Sequence, residues 1–496
     1  MHLYDGTTSR AKTYDSITDC FSITVGVRQG DVLSPFLYAL FLDPVVKKVN
    51  ALGLGVGVGL TSRLSMLLYA DDMSLIARSE TELQLMLTAV QEFAQENGFE
   101  LNVGKTKSQV FFPRRGESCN LLLYGSPVEC VQEFRYLGII FKSNLCRKVS
   151  KTDLLHRALR ALRRTIPPDP DLDFLSITSL ELVYKAKVRS VVEYCMSIIG
   201  GDIWTTAEQL QVEAARRILR LLGTKTSNDA ILGDLGWVSL RARRDELRLR
   251  FWCRLVGMED DRLAKQVYLA SRANLQLFPQ LRCWVSITRN ILAHYQLQHL
   301  WIHDLPNRTE CVETVFSAEE NSWRARLQTK SKLQWYSHNK NKLAREPYMD
   351  LVKNGHHRRL LLRLRASNFM IRIEYGRIDG LPRPERMCLM CCNGAVEDEQ
   401  HFLTECSAFG ELRHTANLPH VDFSDPQLAV SKLLCVPQSY RDDWQTNLQG
   451  SIKTNREEFL RECFVSACTF LQELARQRET LRFLEKPYSP YCSKTA

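Results

Sequence analysis

Two groups of side chains in this sequence have the types and spacing of a chemical site. The first is the dipeptide Asp71-Asp72, which follows the apolar run Leu64 to Tyr69 and precedes Met73 to Ala77. Adjacent carboxylates repel, and burying them beside Leu67, Leu68 and Ile76 calls for a cation or a basic partner. Magnesium suits such a pair, because it prefers hard carboxylate oxygens and keeps several of its waters. An isolated Asp-Asp dipeptide carries little weight, so its context decides. The second group is Cys388-x2-Cys391-x9-His401-x4-Cys406. Three thiolates and one imidazole make a closed tetrahedral zinc site, which can fold a short segment that has little core of its own. Cys392 is a spare thiol that could replace Cys391. A set of reduced cysteines beside a surface histidine is the alternative.

The elements that must position the first group mix strands and helices. Phe21 to Val27 reads as a strand, Gly26 and Gly30 bracket a turn, and Leu33 to Val49 is apolar enough for a buried helix. Leu54 to Leu60 and Leu64 to Tyr69 read as a hairpin leading into the aspartates. Ser79 and Glu82 form a capping box for a helix with the apolar face Leu83, Met86, Leu87, Val90, Phe93 and Ala94, ended by Asn97-Gly98. Gln109 to Phe112 and Phe134 to Phe141 are strand-like. From about Asn144 the pattern is helical. Leu155, Leu159, Leu162 and Ile166 line one face, Arg157, Arg160, Arg163 and Arg164 fall largely on the other, and Pro167-Pro168 stops the run. Further amphipathic runs cover Ser179 to Ile199, Ala207 to Leu222 and Leu240 to Leu255, the last dense in arginine. Phe459, Phe464 and Phe470 have the spacing of helical core packing.

Four blocks then come in order: Gly26-Val27-Arg28-Gln29-Gly30-Asp31-Val32-Leu33-Ser34-Pro35, Tyr69-Ala70-Asp71-Asp72, Leu101-Asn102 with Lys105-Thr106-Lys107, and Phe134-Arg135-Tyr136-Leu137-Gly138. Together they resemble the reverse transcriptases of non-LTR (LINE-type) retrotransposons, and the Cys/His group resembles the CCHC zinc motif toward the carboxyl end of many LINE proteins. The resemblance implies an α+β fold. A partial polymerase palm, an antiparallel sheet with helices, would cover 1–143 and a mainly helical thumb and connection 144–260. A helical region of unclear role follows at 261–375, a small zinc-binding module at 376–410 and a helical tail at 411–496.

The resemblance also implies roles. Asp71, with Asp72 as its lesser partner, would hold two magnesium ions about 3.5–4 Å apart, which activate the attacking hydroxyl and stabilise the leaving phosphate. Tyr69 and Ala70 would lie against the primer end, and Arg28, Gln29 and Gly30 would form the loop that meets the incoming nucleotide and the template. Lys105 would contact the triphosphate and protonate pyrophosphate, or else be a solvated surface residue. Phe134 to Gly138 looks like the primer-gripping hairpin, although core packing serves equally for Tyr136 and Leu137. Tyr184, Tyr194, Trp204, Gln211 and Ala215 to Leu219 continue the resemblance into the thumb. There Arg157, Arg160 and Arg164 would hold duplex phosphates without reading sequence, with a solvated helix face as the alternative. The implied partners are an RNA template, a DNA primer or target, and deoxynucleotide triphosphates.

One part of the family pattern is missing. Palms also carry an aspartate on an earlier strand, in a block resembling Ala-Phe-Asp. Neither Asp5 nor Asp15 ends an apolar strand, and Leu3-Tyr4 matches a stretch that follows that block. The expectation is a truncated chain without the fingers and one metal ligand, which binds nucleic acid but polymerises poorly or not at all. A non-catalytic nucleic-acid-binding protein derived from a retrotransposon competes with this reading. Another palm enzyme such as a nucleotide cyclase is disfavoured by the Gly-Arg-Gln-Gly block.

Bulk properties agree with a folded, polyanion-binding protein. A chain of 496 residues allows several cores, and 45% hydrophobic with 25% charged residues excludes disordered and fibrous classes. The net charge of +10 comes from clustered arginines, which favour polyanions. No basic-then-apolar leader is present, and Val32 to Val46 is too short and too interrupted to span a bilayer. An intracellular protein, nuclear or cytoplasmic, with mostly reduced cysteines is expected.

Overall fold

The computed structural model describes residues 6–23, 26–28, 30–58, 62–168, 175–201, 203–369, 371–391, 393–416, 418, 421–435 and 451–484. The chain divides into two compact units, Met1–Lys151 with Met258–Val285, and Thr152–Gly257 with Ser286–Ala496.

The first unit is α+β. β1 (Thr8–Ser9) pairs with β2 (Phe21–Ser22), so the strand expected over Phe21 to Val27 is confined to its first residues among those described. In α1 (Ser34–Ala51) a proline occupies the first turn, where no N–H donor is needed. This helix is not buried all round, as its apolar sequence suggests. Leu42, Val45 and Val49 enter the core, while Phe36 and Leu40 remain 74% and 63% exposed. Two antiparallel hairpins follow: β3 (Val56–Val58) with β4 (Ser62–Leu64), and β5 (Met66–Tyr69) with β6 (Asp72–Leu75). The run Leu64 to Tyr69 is thus shared between the hairpins and breaks at Ser65, whose hydroxyl donates to the Leu54 carbonyl at 2.9 Å. Glycine is required at Gly55, where φ is +108° and a Cβ would sit 2.6 Å from the Leu64 carbonyl oxygen.

α2 (Glu80–Glu96) starts at the expected cap. Ser79 Oγ accepts from the Glu82 amide at 3.2 Å, and the Glu82 carboxylate reaches back to the Arg78 amide at 3.1 Å, one residue before the usual partner. Met86, Val90 and Phe93 of α2 pack with Leu42, Val45 and Val49 of α1 and Met66 of β5. Each such burial contributes roughly 1.5–3 kcal/mol, and together they clamp the base of the β5–β6 hairpin.

A three-stranded sheet of β7 (Lys107–Ser108), β8 (Leu121–Leu123) and β9 (Ser126–Cys130) has the order β7-β9-β8. Gln109 to Phe112 falls outside it, while the unexpected β8–β9 hairpin turns at Tyr124-Gly125, with φ of +52° and +75°. β10 (Glu133–Tyr136) and β11 (Ile139–Lys142) make another tight hairpin, with Leu137 and Gly138 at φ +45° and +80°. Positive φ at both central residues matches the right-handed strand twist. The helix Leu263–Leu277 also belongs to this unit.

The second unit is helical. On α3 (Arg147–Thr165), whose C-terminal part enters this unit, the buried stripe is Leu154, Ala158 and Leu162, continued by Ile166. Leu155 and Leu159 are only half-buried at its flank, a rotation of one position from the sequence expectation. The run Ser179 to Ile199 is interrupted by a π-helical turn at Tyr184–Arg189 and by Cys195 at φ +54°. The arginine-dense helix Leu240–Val256 faces inward: Arg244 and Arg248 are buried, and Arg243 bridges Glu193 and Glu246 at 2.8 and 2.5 Å. Much of its charge goes into internal ion pairs, while Arg241 and Arg254 stay exposed. Asp234 is likewise buried, accepting from Arg365, Tyr336 and Tyr348. Among the described residues no helix is long and apolar enough to cross a membrane.

Candidate functional site

The register that pairs Leu68 with Met73 and Tyr69 with Asp72 leaves Ala70-Asp71 as the two-residue tip of the β5–β6 hairpin. Ala70 takes φ +52°, a left-handed conformation that costs an L-residue with a Cβ about 1–2 kcal/mol. The expectation of buried aspartates is not met. Met66 anchors the hairpin in the core, but Tyr69, Ala70, Asp71 and Asp72 all project into solvent. Water solvates both carboxylates, so burial imposes no cation here. Tyr38 of α1 lies nearby, its phenol pushed up first by burial and then by the charge of Asp71. Among the described residues no third His, Cys, Asp or Glu joins the two aspartates in a metal-sized cluster.

The other residues singled out in the first unit sit on separate turns. Gly26 and Gly30 have φ of +95° and +88°, which glycine alone adopts freely. Between them Arg28 is exposed and its carbonyl accepts from the Ser34 hydroxyl at 2.5 Å, tying the loop to the start of α1. Gln29, Asp5 and Leu3-Tyr4 lie outside the described residues, and Asp15 is exposed. Lys105 is exposed on a turn closed by Asn102, whose Oδ1 accepts from the Lys105 amide at 3.0 Å. On β10–β11, Tyr136 and Phe141 form a tilted pair with ring centroids 6.5 Å apart.

On α3, Arg160 and Arg164 are exposed, whereas Arg157 is half-buried and pairs with Asp153 at 3.5 Å. Arg216 and Arg217 instead bind the fold. Arg216 donates to the Thr226 carbonyl at 2.5 Å, and Arg217 donates to Glu213 at 2.6 Å and to the Ile166 carbonyl at 3.0 Å.

In the second unit the Cys/His spacing becomes a site. Donor atoms of Cys388, Cys391, His401 and Cys406 all lie within 4.8 Å of one another. Cys388 Sγ and Cys406 Sγ are 3.8 Å apart, and Cys391 Sγ is 3.4 Å from His401 Nε2. With zinc-to-sulfur bonds of about 2.3 Å, a tetrahedron has sulfur–sulfur edges of about 3.8 Å, so the donor set fits that ion. Local hydrogen bonds fix two of the ligands. The Cys388 amide donates to Ala395 at 2.7 Å, the Met390 amide approaches Cys388 Sγ at 3.4 Å, and the His401 amide donates to Asp398 at 3.0 Å. His401 opens a π-helical turn, His401–Glu405, and Cys406 closes it.

The hydrogen bond between Cys388 and Cys406 pushes the Cys388 thiol well down and the Cys406 thiol up. The same Cys388 sulfur raises His401. The cluster therefore favours thiolate and a positive partner. Cys388 and Cys406 are part of the large core, beside Phe402 and Phe409, so this segment is continuous with the unit rather than a free-standing module. Cys392 lies outside the described residues.

The Cys/His spacing encloses the acidic run Glu397-Asp398-Glu399, to which the sequence alone assigns no role. Glu397 is in fact buried, accepts from the Arg372 amide at 2.6 Å, and pairs with Arg478 through two contacts of 2.9 Å. Asp398 also pairs with Arg383 at 3.0 Å. Nothing in a one-dimensional pattern marks Arg478 as the partner of an acid 81 positions away.

Comparison with known proteins adds the lineage. Residues 12–141 match the family described as "Reverse transcriptase (RNA-dependent DNA polymerase)". The chain carries a reverse transcriptase domain. Its relatives are polymerases of non-LTR retrotransposons. "RNA-directed DNA polymerase from mobile element jockey" of Drosophila funebris is 26% identical over 207 residues, which is 40% of this chain and 22% of the relative. "Retrovirus-related Pol polyprotein from type-2 retrotransposable element R2DM" of Drosophila melanogaster is 30% identical over 314 residues, 56% of this chain and 29% of the relative. A type-1 R2 polyprotein of Popillia japonica is 33% identical over 152 residues, 28% of this chain and 21% of the relative. The chain thus spans between 21% and 29% of the length of these relatives. The reverse transcriptase domain contains the β5–β6 tip, the Arg28 loop, the Lys105 turn and nearly all of the β10–β11 hairpin.

Proposed function

We propose that this chain belongs to the RNA-copying machinery of a non-LTR retrotransposon, with the β5–β6 tip as its nucleotidyl-transfer turn. The observation that carries this reading is the left-handed Ala70, which presents adjacent carboxylates to solvent at the end of an anchored hairpin. Tyr124, Leu137 and Cys195 share this left-handed φ, so the weight lies in the strain coinciding with two exposed carboxylates. In this reading Asp71 and Asp72 hold magnesium, which when bound activates the attacking hydroxyl and stabilises the leaving phosphate. Tyr69 and Ala70 bear on the primer end, and Arg28, Gln29 and Gly30 meet nucleotide and template. Lys105 reaches the triphosphate. The β10–β11 hairpin grips the primer, while Arg157, Arg160 and Arg164 follow duplex phosphates on a helical thumb. Cys388, Cys391, His401 and Cys406 hold a structural zinc ion.

Two carboxylates alone make an incomplete two-metal site. We therefore expect firm binding of nucleic acid and weak extension by this chain, a balance that also favours the reading as a nucleic-acid-binding protein without catalysis. Primer extension on an RNA template, with magnesium and deoxynucleotides, separates the two. Strong extension that Asp71→Asn abolishes would overturn the expectation of weakness, and binding without extension supports the non-catalytic reading. Each phosphate neutralised on duplex DNA should steepen the salt dependence of binding by about 0.9 log units per decade of salt. After exhaustive dialysis, folded protein should retain about one equivalent of zinc, and less than roughly half would count against the zinc assignment.

A further inference from the structure

The second unit holds a cleft of about 800 Å³, in the range of roughly 300–1,000 Å³ typical of small-molecule sites. It lies between the short helix Gln334–Asn339, the acidic run before His401 and the helix Pro426–Leu434. Although basic residues line it, the cleft is not a phosphate groove. Lys332 and Arg377 are tied to Glu374 at 2.7 and 2.6 Å, and Arg383 to Asp398 at 3.0 Å. Three of its cations are thus tied to carboxylates, and Arg386 is held by the Leu381 and Ile373 carbonyls, so no row of free cations runs through it.

What remains unsatisfied is different in kind. Trp335 lines the cleft, half-buried and packed against the core, which gives a flat and rigid wall. Glu399 lines it too and is only 8% exposed; burial pushes its carboxyl up and the Ser367 side chain bonds it, yet Oε1 has no hydrogen-bond partner among the described residues. A buried acceptor without a donor is destabilising, so a ligand gains by bringing an N–H group to Oε1, and Trp335 offers it a face on which a planar ring can stack. Side-chain amides of Gln334, Gln400 and Gln427 surround the same space and serve either polarity.

We propose that this cleft takes one unstacked nucleobase of a single strand, with its ring on Trp335 and a base N–H donated to Glu399 Oε1. The inference rests on the nucleic-acid reading above and sharpens it. Every base carries an N–H on its pairing edge, and in a duplex that donor is already used, so the cleft selects unpaired strands. Arg383, 60% exposed and joined to Asp398 through one terminal nitrogen, has donors left at the mouth for the attached phosphate.

The test uses the full chain loaded with zinc and a fluorescent short RNA, presented either single-stranded or as a duplex. Trp335→Leu should weaken single-strand binding roughly tenfold or more, because stacking is the main loss, and leave duplex binding within about twofold. Trp335→Phe, which keeps a stacking face, should restore most of the affinity. Glu399→Gln, which preserves shape but offers a weaker acceptor, should weaken single-strand binding by a smaller factor with the zinc content unchanged. Photocrosslinking of a bromouridine-substituted strand, mapped by mass spectrometry, should place the adduct on a peptide that contains Trp335 or Arg383. Unchanged single-strand affinity in Trp335→Leu, an equal loss for both strands, or an adduct elsewhere overturns the cleft while nucleic-acid binding stands. Failure of the unmodified chain to bind any nucleic acid overturns both.

Discussion

The β5–β6 tip and the Cys/His cluster are built from ligand-type residues, but they treat those residues in opposite ways. At the tip, two carboxylates stand in water on a hairpin whose lower part, Met66, Leu68, Met73 and Leu75, packs on the core. At residues 388–406, four donors converge, three of them are buried, and local hydrogen bonds orient Cys388 and His401. A site that must admit substrate cannot be closed, whereas a site that holds a fold gains from closure. In the proposed reading, donor identity alone does not separate reacting from structural metal chemistry. Burial and orientation of the donors do.

The sharpest way to break this contrast is to chelate the proposed zinc or to replace one of its ligands. Structural zinc contributes on the order of 10 kcal/mol of apparent binding energy, so a strong chelator or Cys406→Ser should lower the melting temperature of the second unit by more than about 10 °C and spare the first. Calorimetry that shows the same transitions with and without chelator would end the distinction. Arg478→Leu comes next. Leaving Glu397 buried and unpaired should cost about 3–5 kcal/mol in urea unfolding of the second unit. In the first unit Ala70→Gly should act in the other direction. Relief of the left-handed strain, less the added chain entropy, should stabilise it by roughly 0.5 kcal/mol, readable as slower hydrogen exchange along β5 and β6. Asp71→Asn should have the least effect on stability, within about 0.5 kcal/mol, because the side chain is exposed. A thermal shift of several degrees in Asp71→Asn would mean that the tip is part of the scaffold.

Much of the first unit could be read from its sequence because its determinants are local. Ser79 and Glu82 cap α2, Asn97-Gly98 ends it, and the apolar spacing between them gives the buried face. The Tyr-Ala-Asp-Asp turn was readable as a motif, but its exposure was not. Apolar strand residues implied burial, whereas the hairpin extends past the core that holds Met66. The β8–β9 hairpin was missed because Tyr124 occupies a left-handed position where glycine or asparagine would have signalled a turn. In the second unit the spacing of Cys388, Cys391, His401 and Cys406 sufficed to find the cluster. The inward-facing arginines of the helix Leu240–Val256 did not announce themselves, since Glu193 lies on a different helix. Pairings of that kind depend on tertiary distance, which periodicity does not encode.

The ion pair of Glu397 with Arg478 also bears on how the protein is made. Eighty-one positions separate the two residues, and the acid belongs to the loop that presents His401. A ribosome therefore releases all four sulfur and nitrogen donors well before it delivers the guanidinium that neutralises their neighbour. During synthesis the nascent second unit carries a carboxylate that cannot be buried at low cost, so its cooperative folding waits for the long helix Ser451–Leu484 to emerge.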